Sequence, residues 1–216
     1  VKKKLIDYND IIFVAGHKGL VGSAIVRNLK HKGYKNISTV NKNEVDLREQ
    51  SKVREWFEYH KPQHVILAAG KVGGIKANST YPADFLLDNL NIQNNVIYSA
   101  FKQCQGRILF LGSSCIYPKH AVNPIKENNL LSSSLEPTNE CYAIAKIAGL
   151  KLCQALKTQF EADSFSVMPA NLYGPGDNYH PSNSHVIPGL IRKFMTAINE
   201  NNESVYCWGT GSAKRE

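Results

Sequence analysis

Short apolar runs, separated by stretches with helical spacing, set out the architecture of this chain. Residues 11–15 are an unbroken run of β-formers without polar alternation, the pattern of a parallel strand buried on both faces. Behind them Val21, Ala24, Ile25 and Leu29 recur at helical spacing, with Gly33 placed to end the helix. Residues 37–40 read as a second strand. Val53, Trp56 and Phe57 mark one face of a second helix, stopped near Pro62, and residues 64–69 read as a third strand. A long helix is predicted over 82–104, with Pro82 in its first turn and Phe85, Leu86, Asn89, Leu90, Val96, Ile97 and Ala100 on its packing face. Residues 107–111 form a fourth strand, 140–160 a second long helix and 165–168 a fifth strand. This alternation predicts an α/β fold, a Rossmann-type doubly wound parallel sheet. The turn-rich stretch 171–178 then falls at a strand's carboxyl end, where open α/β sheets bind ligands.

The glycines define the first candidate site. Gly16-His17-Lys18-Gly19-Leu20-Val21-Gly22 follows a buried strand and opens a helix, the context in which such spacing holds a pyrophosphate against a helix N-terminus. The end of strand two carries Asn41, Lys42 and Asn43 where an NAD site usually has an acid for the ribose hydroxyls. Lys42 and Lys18 therefore favour a 2′-phosphate, hence NADP(H), with Glu44 the nearby counter-indication. Asp46-Leu47 reads either as an adenine-edge contact or as a helix-capping Asp.

Tyr142 and Lys146 stand at i and i+4 on one helix face. A phenol titrates near about 10, and a neighbouring ammonium is expected to lower that value, so the pair suits proton exchange with a substrate carbonyl. Taken alone, such a pair also reads as an ordinary surface pair. Ser113, directly after strand four, offers a hydroxyl to the same carbonyl.

Composition narrows the classes. The 216 residues are 43% hydrophobic and 20% charged, as in an ordinary globular protein. No apolar run has membrane-spanning length, and the basic start is not followed by an apolar stretch, so neither a membrane partner nor a secretory signal is expected. Cys104, Cys115, Cys141, Cys153 and Cys207 lack zinc-site spacing and read as reduced thiols of a cytoplasmic protein, with no metal. The net charge of +8 fits a Lys-rich solvated surface or attraction of polyanionic ligands; its scatter along the chain argues against nucleic acid.

Together the glycine loop, the Ser and the Tyr/Lys pair resemble the extended short-chain dehydrogenase/reductases. Further segments carry the resemblance: Ala69-Gly70-Lys71-Val72-Gly73-Gly74-Ile75, Ser113-Ser114-Cys115-Ile116-Tyr117-Pro118, Glu136-Pro137-Thr138-Asn139-Glu140-Cys141-Tyr142 and Pro181-Ser182-Asn183-Ser184-His185-Val186-Ile187-Pro188. These are similar to the GDP-L-fucose synthase family, over nearly the whole chain from about residue 11. The resemblance implies NADPH-dependent epimerisation of GDP-4-keto-6-deoxy-D-mannose at C3 and C5, followed by reduction at C4. It implies that Cys115 and His185 are the two epimerisation residues; read alone they are a packing thiol and a helix-start or loop histidine. It also implies that Leu111, Gly112, Ser113 and Ser114, then Pro169, Ala170, Asn171 and Leu172, and His185 line the cofactor together with Tyr142 and Lys146. Lys193, Trp208 and Arg215 match contacts to the GDP-sugar. Lys193 stands where the family usually has Arg, and Gly70 and Asn171 replace Ala and Thr.

The expected organisation is an NADP-binding domain over 8–175 and the beginning of a smaller substrate-binding region over 176–216, truncated at its C-terminus. A homodimer through the two long helices is also expected. Two competing readings remain. One is another extended-family NAD(P)-dependent nucleotide-sugar epimerase or dehydratase, although a dehydratase would want a carboxylate where Cys115 stands. The other is a non-catalytic NADP-binding protein, which would retain Gly16 and Gly19 but lose the acid/base set.

Overall fold

Five parallel strands make one sheet in the computed structural model, which describes residues 6–103, 107–181, 183–207 and 209–210. The strands are β1 (Ile12–Ala15), β2 (Ile37–Ser38), β3 (His64–Leu67), β4 (Ile108–Leu111) and β5 (Ser164–Val167), in the order β2-β1-β3-β4-β5. Ile12 pairs with Ile37 on one side and His64 on the other; Val65 pairs with Ile108, and Ile108 with Ser164. The helices are α1 (Leu20–His31), α2 (Gln50–His60), α3 (Ile75–Thr80), α4 (Pro82–Gln103), α5 (Glu140–Phe160) and α6 (Val186–Asn199).

Crossover handedness distributes the helices. The chain steps from β1 outward to β2, then turns back across β1 to β3 and continues to β4 and β5. Right-handed crossovers in opposite directions lie on opposite faces, which puts α1 on one face and α2, α4 and α5 on the other. The core follows: Val53, Trp56 and Phe57 of α2, Val96 and Ile97 of α4, and Ala143, Ile147 and Leu150 of α5 pack with Phe13, Val65 and Phe110 of the sheet. Phe13 lies 4.2 Å from the Trp56 ring and edge-on to Phe57 at 5.6 Å. At Gly149 a Cβ would fall 2.6 Å from Phe110 Cζ, so that position of α5 tolerates no side chain. The opposite face is less covered toward β5, where Phe165 and Val167 are exposed.

The predicted fold class is present, and α5 has its expected span. Strand ends differ. β2 stops after Ser38 because the chain turns at residues 42–44, where Asn41 and Glu44 bond to each other instead of to β1. β3 ends at Leu67, since the close turn at Gly16 takes over the contact with Ala68 and Ala69. Helix α3 was not anticipated, being short and poor in apolar periodicity. Gly33 does end α1, with φ +88° and its N–H on Lys30 O. Among the described residues no helix is long and apolar enough to cross a membrane. Cys115, Cys141, Cys153 and Cys207 are free thiols; Cys104 lies outside the described residues.

Candidate active site

The strand order reverses between β1 and β3, and a ligand crevice is expected beyond the carboxyl ends of those strands. A cleft of about 2500 Å³ opens there. Its floor begins at Gly16, whose φ is +87° and whose Cβ would fall 2.6 Å from Ala69 N. A Cβ on Gly22 would fall 2.1 Å from Gly16 O. The turn is thus pressed against both β3 and the first turn of α1. Gly19, the N-cap residue, offers no side-chain cap, which leaves the α1 first-turn N–H groups free to meet an anion.

Beyond β2 the turn at 41–44 gathers positive charge. The Glu44 carboxylate accepts from Asn41 N at 2.9 Å and from Asn41 Nδ2 at 3.2 Å. These bonds, then the charges of Lys18 and His17, hold its carboxyl below the usual range. Glu44 therefore closes its own turn. Asn41 Oδ1 is buried without a partner among the described residues, in the same cleft wall as Lys18 and Lys42. Asp46 forms a side-chain turn with Arg48 N at 3.0 Å, and the Arg48 guanidinium holds its carboxyl down to about 2. The capping alternative is revised accordingly: the N-cap of α2 is Glu49, three residues on.

At the other end β4 delivers Gly112, Ser113 and Ser114 into the cleft, and Ser113 Oγ accepts from Cys115 N at 3.3 Å. Tyr142 and Lys146, one turn apart on α5, face them. Lys146 is 5% exposed, donates to Leu111 O at 2.9 Å and lies 5.0 Å from the Phe110 ring centre. Burial pulls its ammonium down to about 8. Burial, then the Cys115 sulfur, pushes Tyr142 up to about 12, against a hydrogen bond from Ser113 that lowers it. The expectation that Lys146 would depress the Tyr142 phenol is overturned. The ammonium is tied to Leu111 O, and desolvation of the phenolate dominates. Tyr142 keeps its proton at neutral pH.

Asn139, the residue before α5, donates from Nδ2 to Cys115 Sγ at 3.4 Å, a neighbour not anticipated from the sequence. The far wall is made by the loops before α3 and α6. Gly74 N donates to Asn183 O at 3.4 Å, and His185 is the N-cap residue of α6 and exposed to the cleft. Lys193 on α6 donates to Tyr206 O at 2.9 Å. Buried Asn89 holds the opposite loop, accepting from Lys71 N at 3.0 Å and donating to Lys71 O at 3.0 Å.

The structure brings the predicted positions into this one cleft: residues 16–22, Lys42, Asp46, Leu47, residues 111–115, Tyr142, Lys146, residues 169–172, His185 and Lys193. Trp208 and Arg215 lie outside the described residues. Sequence reasoning missed Asn139, Arg48, Asp88 and the roles of Lys71 and Asn89. Asp84 and Asp88, one helical turn apart on α4, were the available signal for the ionic part of that set.

Residues 12–216 match the NAD dependent epimerase/dehydratase family. The chain is 59% identical over 205 residues to GDP-L-fucose synthase 1 of Arabidopsis thaliana, covering 95% of this chain and 64% of that protein. It is 51% identical to GDP-L-fucose synthase of Escherichia coli (strain K12), again covering 95% and 64%. A solved GDP-L-fucose synthetase from Naegleria fowleri bound to NADP superposes with a TM-score of 0.86 at 29% identity, covering 98% of this chain and 69% of that one. The chain thus spans a little under two thirds of the length of the two synthases it matches.

Proposed function

The chain belongs to the NAD dependent epimerase/dehydratase family, and on that premise we propose that it carries the cofactor site and acid/base set of an NADPH-dependent enzyme. Its reaction is 3,5-epimerisation and 4-reduction of GDP-4-keto-6-deoxy-D-mannose to GDP-L-fucose. The observation that carries this reading is the convergence of Ser113, Cys115, Tyr142, Lys146 and His185 on one cleft whose other end is a phosphate-binding turn.

NADP fits the residues present. A Cβ would fill the Gly22 cradle, the α1 first turn lacks a side-chain cap, and Lys18, His17 and Lys42 surround a turn whose only acid is committed to Asn41. Lys18 and Lys42 would take the 2′-phosphate, and Tyr142 and Lys146 the ribose beside the nicotinamide. When bound, the reduced nicotinamide supplies hydride for the C4 carbonyl carbon.

The chain's own groups handle the protons. Cys115 and His185 serve as an acid/base pair on opposite faces of the sugar ring, removing and returning a proton at C3 and at C5. Ser113 hydrogen-bonds the C4 oxygen. Tyr142, a protonated phenol at neutral pH, donates its proton to that oxygen as it gains charge; reduction needs an acid here, and the raised value supplies one. Lys146 stays largely protonated below about 8, held on Leu111 O, and keeps a positive charge on the Tyr142 side of the site. Lys193, with Trp208 and Arg215, would contact the GDP-sugar within a substrate-binding region that begins near residue 176.

The protein is proposed to work in the cytoplasm as a homodimer. Leu87 and Tyr98 of α4 and Ile144 of α5 are apolar and exposed on the two long helices, as a paired helical interface requires. The test of the activity is incubation of the protein carrying this sequence with GDP-4-keto-6-deoxy-D-mannose and NADPH. Formation of GDP-L-fucose with equimolar NADPH oxidation supports the reading. A different nucleotide sugar, or no NADPH oxidation, contradicts it.

A further inference from the structure

Past Lys42 the rim of the cleft is built from a chain of paired charges with one carboxylate in excess. Arg48 Nε and Nη2 donate to the Asp46 carboxylate at 3.0 and 2.6 Å, and Nη1 donates to Asp88 Oδ1 at 3.1 Å. Asp88 Oδ2 accepts from Lys71 Nζ at 3.1 Å, and Lys71 Nζ also donates to Asp84 at 2.8 Å. Three carboxylates hold two cations, so this stretch repels a phosphate, in contrast to the Lys18, His17 and Lys42 turn beside it.

What Arg48 still offers is its face. Opposite edges of the guanidinium are held by carboxylates from the loop after β2 and from α4, yet the side chain keeps 35% of its surface exposed on the cleft wall. Asp88 and Ile92 sit one turn apart on α4, and Asn95 of the same helix donates to Leu47 O at 3.0 Å. Half-buried Val45, Leu47 and Ile92 therefore line the wall beside Arg48. A flat cation fixed at its edges next to an apolar wall matches a planar aromatic ring, since guanidinium stacks on π-systems.

We propose that Arg48, held flat by Asp46 and Asp88, is a positioning residue for the purine base of the bound dinucleotide and takes no part in 2′-phosphate recognition. This rests on the NADP reading above. It separates two functions along one rim: Lys18 and Lys42 discriminate by the phosphate, and Arg48 acts on any ligand that carries the adenine ring.

Equilibrium titration separates the two, using NADPH, NADH, ADP-ribose and reduced nicotinamide mononucleotide with the unmodified protein, Arg48→Met and Asp88→Asn. Arg48→Met is expected to weaken all three adenosine-bearing ligands by the same factor, about two- to fivefold, and to leave the mononucleotide unchanged. Asp88→Asn, which keeps Arg48 but frees one edge, should show a smaller loss in the same pattern and decides the matter if Arg48→Met does not fold. A loss confined to NADPH would make Arg48 a phosphate contact and overturn the proposal. An unchanged affinity for all four ligands, or an equal loss for the mononucleotide, would make the ionic chain a structural brace alone. Failure of the unmodified protein to bind any adenosine-bearing ligand would overturn the NADP reading itself, and this proposal with it.

Discussion

Replacing Lys146 with Met separates what the site needs from what the fold needs. Burial lowers the Lys146 ammonium from 10.5 to about 8. At about 1.36 kcal/mol per pH unit, that displacement is a penalty of about 3 kcal/mol on the folded state wherever the group is charged in both states. Met has a similar length and no charge, so the penalty disappears. Against this, Leu111 O loses its donor, which costs about 1–3 kcal/mol. The variant should therefore be between equal in stability and about 2 kcal/mol more stable near pH 7.5, while losing NADPH oxidation. The sign with pH follows from the depressed value. Folding releases a proton between about 8 and 10.5, so the unmodified protein gains stability as pH rises through that window and Lys146→Met does not. Tyr142, raised from the ordinary 10.0 of a phenol to about 12, loses its contribution as pH rises through that range in both proteins and cancels in the difference. Urea unfolding of both proteins at pH 7.5 and 10.5 reads the result, with the variant's advantage falling by about 3 kcal/mol. A difference independent of pH, or a variant less stable by more than about 2 kcal/mol at pH 7.5, would show that Lys146 is not buried at a cost as its ammonium.

Three further outcomes are expected. Lys42→Asp should move cofactor preference from NADPH towards NADH, measured as the ratio of dissociation constants; equal affinity of the unmodified protein for both would remove the basis for assigning Lys42 and Lys18 to the 2′-phosphate. Gly22→Ala, whose Cβ would fall 2.1 Å from Gly16 O, should lower NADPH affinity at least tenfold, a loss of about 1.4 kcal/mol in binding, and reduce thermal stability; unchanged titration curves would show that the turn is not a phosphate cradle. Ile144→Glu combined with Leu87→Glu should convert a dimer to a monomer by sedimentation velocity, and a monomeric unmodified protein would contradict the proposed interface.

The sheet was legible because its strands are short apolar runs and its crossovers carry helical periodicity; α5 could be bounded correctly from Glu140 to Phe160 on that pattern alone. The local pattern overran at β2 and β3, where strand residues yield to turns dictated by side chains elsewhere: Glu44 on Asn41, and Gly16 against Ala69. The cleft positions were readable from motifs, but their electrostatics were not. The Tyr142 value depends on how deeply α5 is covered and on Lys146 being bound to Leu111 O, which the i, i+4 spacing does not encode. Arg48 was missed because, although Asp46 is only two residues away, its second partner Asp88 comes from α4 and reaches it only in the folded chain.

Solvent deuterium is the most direct test of whether two proton-transfer groups and one reducing centre share this cleft, as proposed. The protein carrying this sequence, with Cys115→Ser and Tyr142→Phe variants, is incubated in D₂O with GDP-4-keto-6-deoxy-D-mannose and NADPH. Deuterium at C3 and C5 is followed by mass spectrometry and NMR beside the loss of nicotinamide absorbance. Tyr142→Phe is expected to incorporate deuterium into the keto sugar without oxidising NADPH, and Cys115→Ser to bind NADPH normally yet incorporate none. Exchange by Cys115→Ser at the unmodified rate would contradict it, leaving Cys115 a packing thiol beside Asn139.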